Sequence, residues 1–135
     1  MKNMITNNII NFFKEIIYIG IVGSRHRTAK SKIRKILFEE RKKHGKIIAV
    51  SGGADGIDDD VQWACRTLGI PLLTYYPNKD EYTTKKDDIY SERNEFIAIK
   101  SDYMYGFPLN RHGGTMNTIG HFIRLGKSER LTIID

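Results

Sequence analysis

At 135 residues the chain is long enough to bury a core of its own and short enough to read as one domain over 1–135. Its net charge of +6 favours anionic partners, yet the 22 Lys and Arg are interleaved with 16 Asp and Glu, so charge alone singles out neither nucleic acid nor a phosphorylated small molecule. The single cysteine, Cys65, excludes an intramolecular disulfide and fits a reducing, cytoplasmic setting, and no apolar run is long enough to cross a membrane.

Taken in chain order, the elements alternate helix and strand. The first residues loosely resemble a signal peptide, but Asn3, Thr6, Asn7, Asn8, Asn11, Lys14 and Glu15 interrupt any apolar core. Met4, Ile5, Ile9, Ile10, Phe12 and Phe13 instead predict a short amphipathic helix within 1–15. Ile16 to Val22 is β-branched and aromatic, as a buried strand requires. Residues 29–44 follow a helical period with Ile33, Ile36 and Leu37 inward, and His44-Gly45 ends it. The basic run from Lys30 to Lys46 reads as the solvated side of that helix, broken by Glu39 and Glu40.

Ile47 to Val50 is the next strand, and Ile57, Val61, Ala64, Cys65 and Leu68 form a helical stripe closed by Gly69 and Pro71. Cys65 reads as a buried structural thiol. Leu72 to Tyr76 is a third strand, and residues 77–88 are polar enough to be a loop. A helix is expected over 89–100 with Phe96, Ile97, Ile89 and Tyr90 inward. A strand follows over Tyr103 to Phe107, then a helix over 115–125 on a stripe of Met116, Ile119, Phe122 and Ile123, then a last strand at Leu131 to Ile134. Strands with continuous apolar runs, alternating with helices, predict an α/β fold: a single Rossmann-like domain with a mostly parallel sheet of about five strands and helices on both faces.

Three glycine-containing turns follow apolar strands: Gly20-Ile21-Val22-Gly23-Ser24-Arg25, Ser51-Gly52-Gly53-Ala54-Asp55-Gly56-Ile57-Asp58 and Arg111-His112-Gly113-Gly114-Thr115. A glycine turn that opens a helix lets backbone N–H groups converge on an anion, with the positive end of the helix dipole behind them. In a parallel sheet the segments 23–27, 51–58, 76–94 and 107–115 all leave carboxyl ends of strands, so the turns converge on one edge. Each pair of glycines could equally be a tight strand-to-helix connection, and Thr115 simply an N-cap. Arg93-Asn94 near a helix start is not explained by the dipole and supplies a fork suited to phosphate or carboxylate.

These motifs, in this order over about residues 17–127, resemble the SLOG superfamily, the Rossmann-like group that includes the DNA-processing protein DprA/Smf, the LOG phosphoribohydrolases and the YAcAr-like proteins. The resemblance implies a pocket for a nucleotide or nucleotide derivative. Gly23, Ser24 and Arg25 would form its first loop, and Gly52, Gly53 and Ala54 would approach phosphate or ribose. Gly113, Gly114 and Thr115 would hold phosphate, with Arg93 and Asn94 beside them. It implies a phosphoribosyl or N-glycosidic hydrolase, a ligand-sensing module or, alternatively, a DprA-like protein that binds single-stranded nucleic acid, and it implies a homodimer. The LOG pattern places a catalytic glutamate where this chain has Thr118.

Asp58 is then the candidate for ribose contact or proton transfer, against the reading that Asp58, Asp59 and Asp60 favour the positive end of a helix that Asp55 caps. No cofactor is required by this reading. Mg2+ is the ion the carboxylates would suit, and zinc lacks its His and Cys ligands. His112 and His121 lack an evident catalytic partner, and His121 falls on the polar side of its helix. Tyr75, Tyr76 and Tyr82 with Lys79, Lys85 and Lys86 could stack on bases and hold phosphates. Gly120, costly within a helix, would be explained by close packing on the sheet or across a dimer. Arg93→Ala is expected to weaken ligand binding and leave the fold intact.

Overall fold

The computed structural model describes residues 15–78 and 86–135, so the helix expected over 4–14 and the residues Lys79, Tyr82 and Lys85 lie outside it. Strand β1 (Ile17–Gly23) leads through α1 (Lys30–His44) to β2 (Ile47–Ser51), then α2 (Ile57–Leu68) and β3 (Leu72–Thr74). Helix α3 (Lys86–Lys100) follows, then β4 (Tyr103–Phe107), α4 (Gly114–Arg124), a 3-10 turn at Ser128–Arg130 and β5 (Leu131–Ile133). The five strands lie in the order β3-β2-β1-β4-β5 and every pairing is parallel, with Ile17 beside Ile47 and Ile19 beside Tyr103.

The period-2 geometry of a strand sends neighbouring side chains to opposite faces. Ile19 and Ile21 of β1, with Ile47 and Ala49 of β2, pack against Ile33, Ile36 and Leu37 of α1 and Ile57, Val61 and Ala64 of α2. Val22 and Val50, with Met104 of β4, face the other way, onto Ile97 and Ala98 of α3 and Ile119 and Phe122 of α4. The sheet is thus covered on both sides, which is why its strands carry no polar face. Cys65 is buried in the first of these cores, and burial pushes its thiol up to about 11.

The inward faces of α3 and α4 differ from the expected stripes. Phe96 is 47% exposed and Ile123 46%. The buried residues are Asn94, Ile97 and Ala98 on α3, and Thr118, Ile119 and Phe122 on α4. A polar residue stands on each inward face because its hydrogen bonds are satisfied there: the Asn94 amide donates to Asn117 Oδ1 at 3.1 Å, and the Thr118 hydroxyl donates to the Gly114 carbonyl at 3.1 Å. Helix α3 also begins at Lys86, within the stretch expected to be loop, and β3 stops at Thr74, two residues early. A Cβ on Gly120 would meet only the Arg124 guanidinium, so packing on the sheet does not explain that glycine.

One buried polar group interrupts the α1 core. Glu40 accepts a hydrogen bond from the Tyr105 hydroxyl, and its second oxygen lies 2.9 Å from His44 Nε2. On the other face of the sheet the Lys127 ammonium donates to the carbonyls of Ala98, Ile99 and Ser101 and so closes the carboxyl end of α3.

Candidate functional site

Strand β1 connects onward to one face of the sheet and β4 to the other, so the chain parts between their carboxyl ends. That point of divergence is where an open α/β sheet leaves a crevice. Here it holds a cleft of about 260 Å³, lined from four segments of the chain.

The first wall is Gly23, Ser24 and Arg25. Ser24 is tied down on both sides: its N–H donates to the Phe107 carbonyl at 3.1 Å, and its own carbonyl accepts from Ile57 N at 3.3 Å. Its hydroxyl accepts the His26 N–H at 3.0 Å. Arg27 is a brace, donating to the carbonyls of Pro108 (2.8 Å) and Ile134 (2.7 Å). Of this cationic loop, Arg25 and His26 are left to face the cleft.

The second wall is Gly52, Ala54 and Asp58. Gly53, expected beside them, turns away, and a Cβ there would strike Tyr76 and Thr74. Helix α2 is capped by Gly56 with no side-chain bond, so Asp55 does not cap it. Asp58 is 8% exposed and accepts the Ala54 N–H at 2.9 Å. Burial raises its pKa above 3.8, a shift that the Ala54 N–H, the nearby Ser51 hydroxyl and the Arg93 charge only partly offset. Ser51 Oγ is itself buried and short of hydrogen-bond geometry with any group among the described residues.

A carboxyl with a raised native pKa binds its proton more tightly folded than unfolded. The resulting stability is complete below the unfolded value and is lost as pH rises through the native one. Asp58→Asn keeps an acceptor for Ala54 N–H and removes the buried charge. It is therefore expected to melt at or above the wild-type temperature near neutral pH, the difference shrinking as pH falls toward 3.8. A fall of several degrees at neutral pH, read by calorimetry, would contradict this.

Arg93 and Asn94 join the walls. Arg93 Nη1 donates to the Gly52 carbonyl at 2.7 Å and Nε to Asn94 Oδ1 at 2.9 Å, while the Asn94 amide reaches Asn117 and the Gly114 carbonyl. Burial lowers the Arg93 pKa and the Asp58 carboxylate opposes that shift. The Arg93 guanidinium thus also ties the Gly52 turn to α3, a structural contact beside the ligand contact expected of it.

The fourth segment is Gly113, Gly114 and Thr115. Gly113 is the cap of α4, so Thr115 lies inside the first turn and is not the N-cap. The first intrahelical bond runs from Asn117 N to the Gly113 carbonyl, which leaves the preceding amides without helical partners. No acid stands in that turn, no side chain caps it, and a Cβ on Gly113 or Gly114 would meet nothing within 4 Å. Sequence reasoning missed Leu109 and Asn110, which line the cleft with His112; their place just after β4 was the available signal. His121, expected on the outer side, is half-buried and 3.2 Å from the Ser91 hydroxyl.

Among the described residues Asp58 is the one carboxylate on the cleft wall, against Arg25, Arg93, His26 and His112. Thr118 also lines it, with its hydroxyl turned to a backbone carbonyl. Among the described residues no group of three or more His, Cys, Asp or Glu is placed to hold a metal ion, and no helix is long and apolar enough to cross a membrane. Among the described residues a Mg2+ ion would find Asp58 as its single carboxylate here.

No family model and no curated protein matches the chain. Solved structures do. DNA processing protein A from Streptococcus pneumoniae superposes with a TM-score of 0.66 at 16% identity, over 89% of this chain and 50% of that one. DNA processing protein A from Helicobacter pylori, described for its single-stranded DNA binding mode, gives 0.65 at 17% identity, over 88% and 65%. The protein TM1055 gives 0.57 at 21% identity, over 82% and 71%. The chain thus spans half to two-thirds of the length of the DNA processing proteins it matches. These likenesses establish the Rossmann-like α/β fold, and it is the fold of the group that the glycine motifs resemble.

Proposed function

We propose that the cleft binds a nucleotide or nucleotide derivative, its phosphate on the amino end of α4 and its ribose toward Asp58. The observation that carries the reading is the α4 terminus: open amides, no acid, no side-chain cap and free space above two glycines, inside a cleft rimmed by Arg25 and His112. Asp58 would repel phosphate but accept hydrogen bonds from sugar hydroxyls. Hydrolysis of the LOG type is not part of the proposal, because Thr118 supplies no carboxylate at the position that chemistry uses.

Thermal unfolding against AMP, GMP, CMP, UMP, ADP, ADP-ribose, NAD and cyclic nucleotides tests the reading. A ligand at 100 times its dissociation constant adds about 2.7 kcal/mol of stability, which for a domain of this length is roughly 11 °C. A selective shift supports the proposal; no shift with any member overturns it.

The second reading, single-stranded nucleic acid, is favoured by the likeness to DNA processing protein A. It requires oligonucleotide binding that weakens steeply with salt, as phosphate-backbone contacts dictate.

A further inference from the structure

The amino edge of the sheet, opposite the cleft, carries a second concavity. A groove of about 300 Å³ opens there beside the carboxyl ends of α1 and α2, lined chiefly by Ile16, Ile47, Ile48, Ile70 and Pro71. Both helices stop on glycines that line it, Gly45 and Gly69, and a Cβ on Gly69 would meet nothing within 4 Å. Ile47 and Ile70 are each 5% exposed, whereas Ile16 on the same wall is 44% exposed. Arg41, also on the wall, already donates to the Leu68 carbonyl. What the groove offers is therefore mainly apolar surface, and apolar surface left to water favours an apolar group that covers it.

The course of the chain decides which group is nearest. The Ile17 N–H donates to the Lys46 carbonyl at 3.0 Å, and Ile17 pairs with Ile47. Ile16 is thereby held in the wall, and the chain that precedes it departs from the mouth of the groove. In sequence that stretch, outside the described residues, holds Met4, Ile5, Ile9, Ile10, Phe12 and Phe13. Even at full extension Phe13 and Phe12 stay within about 10 and about 14 Å of Ile16. We infer that the groove is the docking site of this chain's own amino-terminal segment, with Phe12 and Phe13 as the side chains that fill it. The tether makes the contact intramolecular, at an effective concentration of roughly millimolar order, which puts a free apolar ligand at a disadvantage. A second copy fits poorly. A two-fold contact sets the same patch against itself, and groove against groove leaves both unfilled. The inference is independent of what the cleft binds.

NMR of the full-length protein, labelled at its isoleucine methyls and phenylalanine rings, tests this. Nuclear Overhauser effects are expected between the Phe12 or Phe13 ring and the methyls of Ile48 and Ile70, equally in dilute and concentrated samples. The double variant Phe12→Ser/Phe13→Ser is expected to lose them and to shift those two methyls. Ile97 and Ile119, in the core on the other face of the sheet, should keep their positions and so report an intact fold. The wild-type arm needs no variant: absence of these Overhauser effects overturns the inference. Unchanged Ile48 and Ile70 methyls in a folded double variant overturn it as well. Overhauser effects that arise between differently labelled copies, and fade on dilution, overturn it in favour of a second copy.

Discussion

Gly56→Ala is expected to be among the most damaging single-methyl changes in the chain, costing about 3 kcal/mol of stability and abolishing the proposed nucleotide binding. Gly56 has φ +70 and ψ −119, a region that side chains avoid. A Cβ there would stand 2.6 Å from the Arg25 carbonyl carbon and oxygen and from the Ser24 carbonyl oxygen. Those neighbours are backbone and cannot rotate aside, so the loop that forms the first wall of the cleft must move. Gly69→Ala is the control: its φ is +67, but a Cβ would meet nothing within 4 Å, so it should cost only about 1 kcal/mol. At roughly 4 °C per kcal/mol for a domain of this length, the two variants should melt about 8 °C apart. Melting temperatures within a degree or two of each other would show that the loop yields easily and that the close approach at Gly56 carries no energy.

Arg93→Ala should combine a structural and a functional loss. Removing the guanidinium leaves the Gly52 carbonyl without its 2.7 Å donor, the Asn94 side chain without its 2.9 Å donor and the Asp58 carboxylate without its neighbouring cation. Leaving a buried acceptor without its donor costs about 1–3 kcal/mol, and about 2 kcal/mol is expected here. The melting temperature should fall by roughly 8 °C, and affinity for the proposed nucleotide by tenfold or more, because the Gly52 turn loses the side chain that ties it to Asn94 and so to Gly114. Arg93→Lys keeps the charge near Asp58 but not the fork, and should fall between. An alanine variant with wild-type melting and weakened binding would return Arg93 to a purely ligand-contacting role.

Much of this arrangement could be read from the chain. The β-branched runs at 16–22 and 47–50, the glycine stops after His44 and Leu68, and the turn residues at 51–58 and 111–115 each carry a local signal, and the fold follows from their alternation. What escaped is non-local. Nothing adjacent to Arg93 in sequence says that it reaches Gly52, 41 residues away. Nothing near Asp60 says that it caps a helix beginning thirty residues earlier. The stripes of α3 and α4 misled because Asn94 and Thr118 take inward positions that an apolar count assigns to Phe96 and Ile123, and only the neighbouring helix reveals why polar groups are satisfied there. Gly52 and Gly53 look equivalent as letters, yet one lines the cleft and the other rests against Tyr76, a distinction set by a positive φ at the second alone.

The position of β1 at the centre of the sheet has a consequence for how the molecule assembles. One edge of β1 finds β2 after a single helix, while its other edge must wait for β4, and Tyr18 and Asp102 meet across 84 positions. Closing so long a loop carries the larger entropic cost and belongs to the slow class of contacts. Until it closes, a growing chain displays an unpaired strand edge and a bare apolar face, the features that invite misassembly. The cleft lies on that same seam. It cannot exist in a half-formed molecule, and whatever occupies it acts as a staple across the two halves, favouring the finished chain over its aggregation-prone precursor.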